Sequence, residues 1–478
     1  MRRSALALVL LAGACAGPAP PVPPEASVVP PLDWRTSPGA TAPAEARWWQ
    51  LFGDPVLSAL VERARANNVD VAIAVARVRE ARAQERLARA QLAPSLDLGA
   101  GATTSRSVGP LGAPVEATSV QPLFQAAYEL DLFGRIDQQV EAARQSFLAS
   151  EAAADAAALS VAAATASGYI TLRALDERLD ILRETLASRA EALRIARDRA
   201  EVGYTSELEL RQAEAEYEGT AQLVPQAELL VSRQENALSL LIGESPRAIE
   251  RGIALAELRQ PPIPDGLPAD LLRRRPDIAQ AEFTLAASDA TLAAARAQFL
   301  PQVRLTGSAG AVLSSALGDP VALWSLGGSV LAPLFSGGRL EAQVGTAGAR
   351  RDQAAFAYRR TALTAFREVE DNLAAVQRLR EQRERLEAQQ VAVAEALRHA
   401  TNRYQAGYSP YLEQLDAQRA LLNVELSLVQ VESDQLTALV AVHQAMGGGW
   451  DGGDGLRSAS SVITAGAAAA AEGHPIRE

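Results

Sequence analysis

The hydrophobic and polar positions of this 478-residue chain follow two different periods. From Arg339 to about Met446, apolar residues recur every seven positions, as at Leu386 and Val393. That spacing is typical of a coiled-coil seam, and it is broken once, at Gly407 to Pro410, before it resumes. The pattern predicts two antiparallel helices joined by a tight turn. At about 1.5 Å per residue the first arm would be roughly 100 Å long, which is too long for a compact domain.

The same helical hairpin occurs earlier in the chain. Gly203-Tyr204 aligns with Gly407-Tyr408, and Arg135 aligns with Arg339, in both cases 204 residues apart. Upstream of each hairpin lies a second pair of similar segments, Ala88 to Pro94 and Ala295 to Pro301. The chain is therefore predicted to be a tandem duplication of a unit of about 200 residues, far larger than the units of solenoid proteins.

Ahead of each helical hairpin the period changes from helical to alternating. In the first β-hairpin, apolar residues share one face: Leu96, Leu98, Ala100, Ala102, Val120, Phe124, Ala126, Tyr128 and Leu130. In the second they are Val303, Leu305, Trp324, Leu326 and Val330. Strands of about ten residues with this pattern are typical of outer-membrane barrels, although a half-buried soluble sheet alternates in the same way. Four strands cannot close a barrel, so a membrane location requires several chains to share one.

The N-terminus indicates export. Met1-Arg2-Arg3 followed by an apolar run predicts a signal peptide over residues 1–14. Cys15, the only cysteine, stands where a lipoprotein signal peptidase would leave the first mature residue, so we expect lipid attachment there. The alternative is an ordinary signal peptide with an incidental cysteine, because Ala12 occupies the position where a lipobox usually has leucine.

These patterns divide the chain into six segments. The signal peptide is followed by a lipid-anchored, proline-rich tether over 15–50, expected to be extended. The first repeat covers 51–243, with its β-hairpin at about 95–133 and its helical hairpin at 135–243; a proline-rich connector covers 244–280. The second repeat covers 281–447, with its β-hairpin at about 302–335 and its helical hairpin at 339–446; a tail at 448–478 is expected to be disordered.

Composition and residue types argue against several functions. A net charge of −11 disfavours nucleic-acid binding, which usually requires a basic surface. His399, His443 and His474 are scattered, so we expect no metal site, no cofactor and no enzymatic activity. The uncharged run from Ala156 to Leu172 is rich in alanine, and we interpret it as a helix packed among helices, not as a membrane span.

Four motifs together resemble those of the TolC-like outer-membrane efflux factors. They are Tyr128 to Ile136, Leu267 to Ile278, Pro333 to Gly338 and the paired Gly-Tyr-Thr/Ser turns. The resemblance covers the chain from Cys15 to about Gly449 and is strongest to the lipoprotein branch that serves drug efflux pumps of the resistance-nodulation-division type.

The resemblance implies a mixed, mainly α fold and a homotrimer. Three chains would share one twelve-stranded β-barrel among outer-membrane lipids, continued into the periplasm by an α-barrel tunnel of coiled-coil hairpins. The connector and the C-terminal region would form an equatorial belt. Such a channel is a passive exit duct, opened by a periplasmic adaptor and an inner-membrane pump of the resistance-nodulation-division type. The alternative from the residues alone, an exported coiled-coil scaffold or adaptor, would leave the four strands without a role.

The resemblance also implies a gate after the second hairpin turn. In the family, acidic residues there form rings that constrict the periplasmic mouth, and the matching positions are Glu413 and Asp416. The first hairpin has Glu209 at the equivalent of Glu413 but Gln212 at the equivalent of Asp416. The alternative is that both carboxylates are ordinary surface charges beside a turn.

The two hairpin turns resemble the family's adaptor-docking tips. The residues concerned are Gly203, Tyr204, Thr205, Gly407, Tyr408 and Ser409. A helical hairpin needs a glycine at this point whether or not a partner docks, because glycine readily adopts positive φ. Both interpretations can hold together.

Overall fold

The computed structural model describes residues 22–37, 41–108, 112–315 and 317–450. The predicted signal peptide, Cys15, His474 and the tail beyond residue 450 lie outside the described residues. The described chain divides into two compact units. The first contains residues 76–151 and 280–360 together with 22–28, and the second contains 29–75, 152–279 and 361–450.

The described part of the chain is mostly helical. The helices in chain order are α1 (Pro55–Asn67), α2 (Val69–Ala90), α3 (Arg135–Glu201), α4 (Glu207–Ala221), α5 (Leu223–Leu241), α6 (Pro268–Arg274), α7 (Pro276–Ala297), α8 (Arg339–Gln405) and α9 (Tyr411–Ala445). The strands are β1 (Thr41–Ala42), β2 (Ser95–Val108), β3 (Pro114–Leu130), β4 (Ile263–Pro264), β5 (Gln302–Ser314) and β6 (Val321–Leu331). The predicted mixed, mainly α fold is confirmed.

The duplication is visible in the helix lengths. α3 and α8 are both 67 residues long, and each ends just before a glycine turn. The returning arm of the second hairpin is one helix of 35 residues, whereas that of the first is divided into α4 and α5. The division falls at Gln222 because Pro225 has no N–H to donate to the Ala221 carbonyl and its ring crowds that carbonyl.

The four long strands form one antiparallel sheet in the order β2-β3-β5-β6. Their register places the predicted apolar residues on a single face: Leu98 is opposite Phe124, Phe124 is opposite Ala309, and Ala309 is opposite Trp324. The other face carries rows of small and polar residues, such as Asp97, Gln125, Ser308 and Ser325. Because side chains alternate with a period of two, the alternation in the sequence was sufficient to predict both faces.

The apolar face of the sheet is exposed in the single chain. Trp324 is 80% exposed, Leu326 is 83% exposed and Leu96 is 71% exposed. In the part of the chain that the structure describes, the outermost strands, β2 and β6, each pair with one neighbouring strand. A soluble sheet would cover such a face with helices, so the exposure favours the membrane interpretation.

The second unit contains the main apolar core. Trp48, Trp49 and Phe52 form a short 3-10 helix and are almost fully buried there with Tyr169 and Leu439. Trp48 and Trp49 fall within the 15–50 range that we expected to be an extended tether. Large aromatic side chains gain much from burial, and here they bind the N-terminal segment to the core.

The connector is held by buried polar contacts. The Asp54 carboxylate accepts hydrogen bonds from the backbone N–H groups of Val56 and Leu57, at 2.7 and 3.3 Å, and so caps the N-terminus of α1. The Tyr169 hydroxyl donates to Asp54 at 2.8 Å and accepts from the Gly252 N–H at 2.8 Å. One buried chain of hydrogen bonds therefore joins α1, α3 and the connector.

The Arg-Arg-Arg-Pro-Asp part of the connector motif secures the end of α9. Arg275 donates to the Ala445 carbonyl at 3.0 Å and forms ion pairs with Asp277 at 2.7 Å and Glu368 at 2.9 Å. Gly447, with φ of 91°, follows the helix, and a Cβ there would lie 2.0 Å from the Arg274 carbonyl oxygen. The glycine is therefore required both by its conformation and by the close approach of the connector.

Among the described residues, one helix, α3, is long and apolar enough to cross a membrane by length and composition. Its apolar part overlaps the alanine-rich run that we interpreted as packed among helices. Val161, Ala166 and Ile170 are buried in the main core, in agreement with that interpretation.

Candidate functional site

The two helical hairpins each end in a glycine turn. Gly203 has φ of 74° and Gly407 has φ of 78°. The turns are closed in the same way, since the Tyr204 N–H donates to the Arg199 carbonyl at 2.8 Å and the Tyr408 N–H donates to the Arg403 carbonyl at 2.9 Å. A hypothetical Cβ at either glycine has nothing within 4 Å, so glycine is required by φ and not by lack of space.

The surface of both turns is largely apolar. Tyr204 is 86% exposed and Tyr408 is 81% exposed, and other exposed apolar side chains at the turns are Val202, Leu208 and Leu412. The hydroxyl oxygens of Thr205 and Ser409 are buried, and within the described part of the chain neither has a hydrogen-bond partner. Of the predicted turn residues, the two tyrosines are therefore exposed, whereas the hydroxyl groups of Thr205 and Ser409 are buried.

The helices that follow the turns are capped differently. The Ser206 hydroxyl accepts a hydrogen bond from the Glu209 N–H at 3.3 Å and caps α4. Pro410 occupies the same position before α9 and makes no side-chain cap. Instead, the Glu209 carboxylate accepts a hydrogen bond from the Tyr411 N–H at 3.0 Å. Glu209, which aligns with Glu413, therefore caps the other hairpin, because a carboxylate stabilises the free N–H groups of a helix N-terminus.

The two predicted gate residues lie on the exposed side of the first turns of α9. The Glu413 side chain is 46% exposed, and its carboxylate is 3.5 Å from the guanidinium of Arg403. The Asp416 side chain is 67% exposed, and its carboxylate is 3.8 Å from the guanidinium of Arg419. The three-residue spacing places both carboxylates on one side of the helix. Each is loosely paired and available to solvent.

Less than a turn beyond Asp416, a partly buried ion cluster joins three helices. The Glu216 carboxylate of α4 forms an ion pair with Arg189 of α3, at 2.7 Å, and accepts a hydrogen bond from the Arg419 Nε of α9, at 2.9 Å. Arg189 also donates to the Glu216 carbonyl at 3.0 Å and to the Thr220 hydroxyl. Burial lowers the pKa of Arg189, and the hydrogen bond to Glu216 raises the pKa of Arg419. We call Arg189, Glu216 and Arg419 the arginine clamp.

An aromatic cluster lies between the clamp and the turns. Tyr411 is 2% exposed, and its ring centroid is 5.5 Å from that of Tyr404. The Arg199 guanidinium lies over the Tyr404 ring at 5.1 Å. Burial raises the pKa of both hydroxyls. These contacts fix the start of α9, which carries the predicted gate residues, against the other helices of the tip.

Sequence reasoning missed the arginine clamp and the capping role of Glu209. Glu216 and Arg419 are 203 residues apart, and neither stands in a recognisable motif. The only available signal was the 204-residue repeat, which places residues of the two hairpins at equivalent positions but does not say that they touch.

The chain is similar to known proteins over most of its length. Residues 60–244 and 267–448 match the family model described as outer membrane efflux protein. The chain is 34% identical over 424 residues to the toluene efflux pump outer membrane protein TtgC of Pseudomonas putida, and the match covers 86% of each chain. It is 36% identical over 425 residues to the outer membrane protein OprJ of Pseudomonas aeruginosa, covering 86% of this chain and 87% of OprJ.

Solved structures also match. The outer membrane channel CmeC of Campylobacter jejuni superimposes with a TM-score of 0.84 at 26% identity, covering 94% of this chain and 97% of CmeC. The two segments matched by the family model, 60–244 and 267–448, correspond to the two repeats, and the second begins within the connector. The similarity therefore includes the sheet, the helical hairpins and both turns.

Proposed function

Because this chain belongs to the outer membrane efflux protein family, we propose that it is the exit duct of a tripartite efflux system, opened by a periplasmic adaptor and an inner-membrane pump of the resistance-nodulation-division type. The chain is an outer-membrane component of efflux, as its relatives are. The alternative of an exported scaffold or adaptor does not fit these relatives. The observation that carries the proposal is a four-stranded sheet, apolar on one face and open at both edges, in the same chain as two 67-residue helices.

The sheet has the dimensions of a membrane barrel wall. Apolar-face residues of β5 extend from Val303 to Leu313. Ten steps at about 3.4 Å give roughly 34 Å, and a strand tilt of about 40° reduces the height to roughly 26 Å. This agrees with the ~25 Å apolar band of outer-membrane barrels. Backbone groups at the β2 and β6 edges would be unpaired in lipid, so we propose that three copies share a twelve-stranded barrel.

The proposed gate follows from threefold symmetry. Three copies would bring six carboxylates, from Glu413 and Asp416, around one axis at the tunnel mouth. Like charges only a few ångströms apart repel in a narrow mouth and favour bound cations. Both side chains are about half exposed or more, so they are free to face such an axis.

We propose that the exposed turns receive the adaptor. Tyr204 and Tyr408 present two exposed aromatic rings at the ends of the helical hairpins. Exposed tyrosines of this kind are frequent at protein interfaces, because they combine an apolar ring with a hydroxyl. Cysteine crosslinking from Ser409→Cys to the adaptor tests this, and absence of a product in an assembled pump would contradict it.

The proposed assembly is tested by the detergent-corrected mass of the protein extracted from isolated outer membranes. We expect a trimer. A soluble monomer that is absent from that fraction would contradict the shared barrel.

The proposed gate is tested in planar bilayers. We expect Glu413→Ala with Asp416→Ala to raise the conductance of the isolated trimer and to weaken block by divalent cations. Glu381→Ala with Glu384→Ala is the matched control, because it removes two exposed carboxylates at the same spacing on α8. Position 381 lies roughly 36 Å along the helix from its end, well away from the turns. Equal conductance and block in the gate variant and the control would remove Glu413 and Asp416 from the gate.

We also propose that Cys15 carries the lipid anchor. The thiol of a first mature cysteine is the attachment point of a lipoprotein, and the two signals of a lipid and a barrel would retain the trimer in the membrane. Mass spectrometry of the N-terminal peptide is the direct measurement. We expect a lipid-sized mass increase that is lost in Cys15→Ser, and an unmodified Cys15 would contradict the assignment.

A further inference from the structure

Two segments beside the open edges of the sheet expose large apolar side chains. Leu334 and Phe335, three and four residues after the end of β6, are 95% and 92% exposed. Leu92, three residues before the start of β2, is 36% exposed, and Ala93 beside it is also exposed. Such side chains are costly to leave in water on both sides of an open sheet.

The chain contains a less exposed version of the same arrangement within the sheet. Leu132 and Phe133 follow β3 as Leu334 and Phe335 follow β6, but they are only 64% and 43% exposed. The segment that precedes β5, Phe299-Leu300, aligns with Leu92-Ala93 and is half-buried. β3 and β5 are paired within the chain, with Leu130 opposite Val303. At this internal seam, the segment after β3 and the segment before β5 are each less exposed than their counterparts at the open edges.

From the internal seam we infer the seam between neighbouring copies. We propose that β6 of one copy pairs with β2 of the next so that Ala332 is opposite Leu96, and that Leu334-Phe335 covers Leu92-Ala93 of that copy. This inference rests on the shared barrel of the proposed function. It specifies the register in which neighbouring copies pair.

The register follows from two alignments within the sequence. Leu132-Phe133 aligns with Leu334-Phe335, so Leu130 corresponds to Ala332. Pro94 aligns with Pro301, so Leu96 corresponds to Val303. Since Leu130 is opposite Val303, Ala332 is placed opposite Leu96.

The faces of the sheet provide an independent check. Ala332 falls on the same face as Trp324 and Val330 by alternation, and Leu96 lies on the same face as Leu98. The inferred pairing therefore joins apolar face to apolar face. A slip of one residue would bring the polar row of one copy beside the apolar row of the next, which the lipid would oppose. On the polar face the register places Ser329 opposite Gly99.

The β-strand register is tested by disulfide trapping. The variant Ser329→Cys with Gly99→Cys is oxidised in isolated outer membranes and examined on non-reducing gels. A Cβ at Gly99 or Gly101 meets nothing within 4 Å, so both cysteines are tolerated sterically. Directly opposite Cβ atoms are about 5 Å apart, within reach of a disulfide, whereas diagonal ones are about 7–8 Å apart. The matched control is therefore Ser329→Cys with Gly101→Cys, which corresponds to a slip of two residues.

We expect covalent dimers and trimers with the Gly99 pair, formed at least tenfold faster than with the Gly101 pair. Single-cysteine variants that retain Cys15 give the background. Faster trapping of the Gly101 pair would overturn the register. If the protein is not a trimer in the outer membrane, the proposed function fails and not only the register.

The apolar contact is tested separately. We expect Phe335→Cys with Ala93→Cys to form a covalent link between copies, and Leu334→Asp with Phe335→Asp to lower the temperature at which trimers dissociate in detergent. The control is Leu240→Asp, which places a charge on a helix residue that is also 72% exposed but lies far along the chain from both edges. The contact would be overturned if trimers are intact but no such link forms, and if the Leu334→Asp, Phe335→Asp variant and the Leu240→Asp control dissociate at the same temperature. That outcome would leave the shared barrel in place.

Discussion

Burial of His443 makes the C-terminal end of α9 sensitive to acid. His443 is 2% exposed and its ring is stacked on Trp48, with centroids 5.5 Å apart. Burial lowers its pKa from 6.5 to about 4, while a hydrogen bond to the Pro262 carbonyl acts in the opposite direction. The neutral imidazole is therefore the form that this core accepts.

The sign and size of the effect follow from linkage. The unfolded chain binds a proton at His443 more tightly than the folded chain does, so protons favour opening. The stabilising contribution is complete above about pH 6.5 and is lost as the pH falls towards about 4. Over that whole range the loss amounts to about 3 kcal/mol, of which about 2 kcal/mol falls between pH 7 and pH 5.

The measurement is hydrogen exchange of the peptide that covers residues 438–450, at pH 7 and pH 5, corrected for the intrinsic rate. We expect the opening free energy of the wild type to fall by about 2 kcal/mol more than that of His443→Phe, which keeps an aromatic ring on Trp48 but cannot titrate. His399→Gln is the control, because His399 is 68% exposed on α8 and should leave the pH dependence unchanged. Equal pH dependence in the wild type and His443→Phe would refute the reasoning.

Three further predictions concern the clamp, the sheet and the turns. Glu216→Gln should lower the free energy of opening of the hairpin ends by about 3 kcal/mol, because it leaves the buried Arg189 without its ionic partner. Hydrogen exchange at the start of α9 measures this change. The double variant Glu216→Gln with Arg189→Met should recover most of the loss. Gly310→Val should abolish trimers in outer membranes, because its Cβ would lie 2.2 Å from the Pro122 carbonyl oxygen, and normal trimer yield would contradict this. Gly407→Ala should destabilise the tip by about 1–2 kcal/mol in the same exchange experiment, with Glu381→Ala as a control expected to be neutral.

The secondary structure and the faces of the sheet could be predicted from sequence because their signals are local. Heptad spacing and alternation are visible within about ten residues. The lengths of α3 and α8 follow from the arginine at which each helix begins, Arg135 or Arg339, and from the turn glycine just beyond its end, Gly203 or Gly407. Pro225 is a local signal of the same kind, since proline interrupts a helix in its interior, and it accounts for the division of the returning arm into α4 and α5.

Contacts across the repeat were decided only by the tertiary structure. Glu209 and Glu413 are equivalent in sequence, but Glu209 caps Tyr411 while Glu413 stays exposed, because Pro410 leaves the N-terminus of α9 without a side-chain cap. The burial of Trp48 against His443 likewise joins residues nearly four hundred positions apart. Local periodicity determines which face of a helix or strand is apolar. Only packing in three dimensions determines which charged group finds a partner and which remains available at the surface, since that depends on neighbours that are distant in the chain.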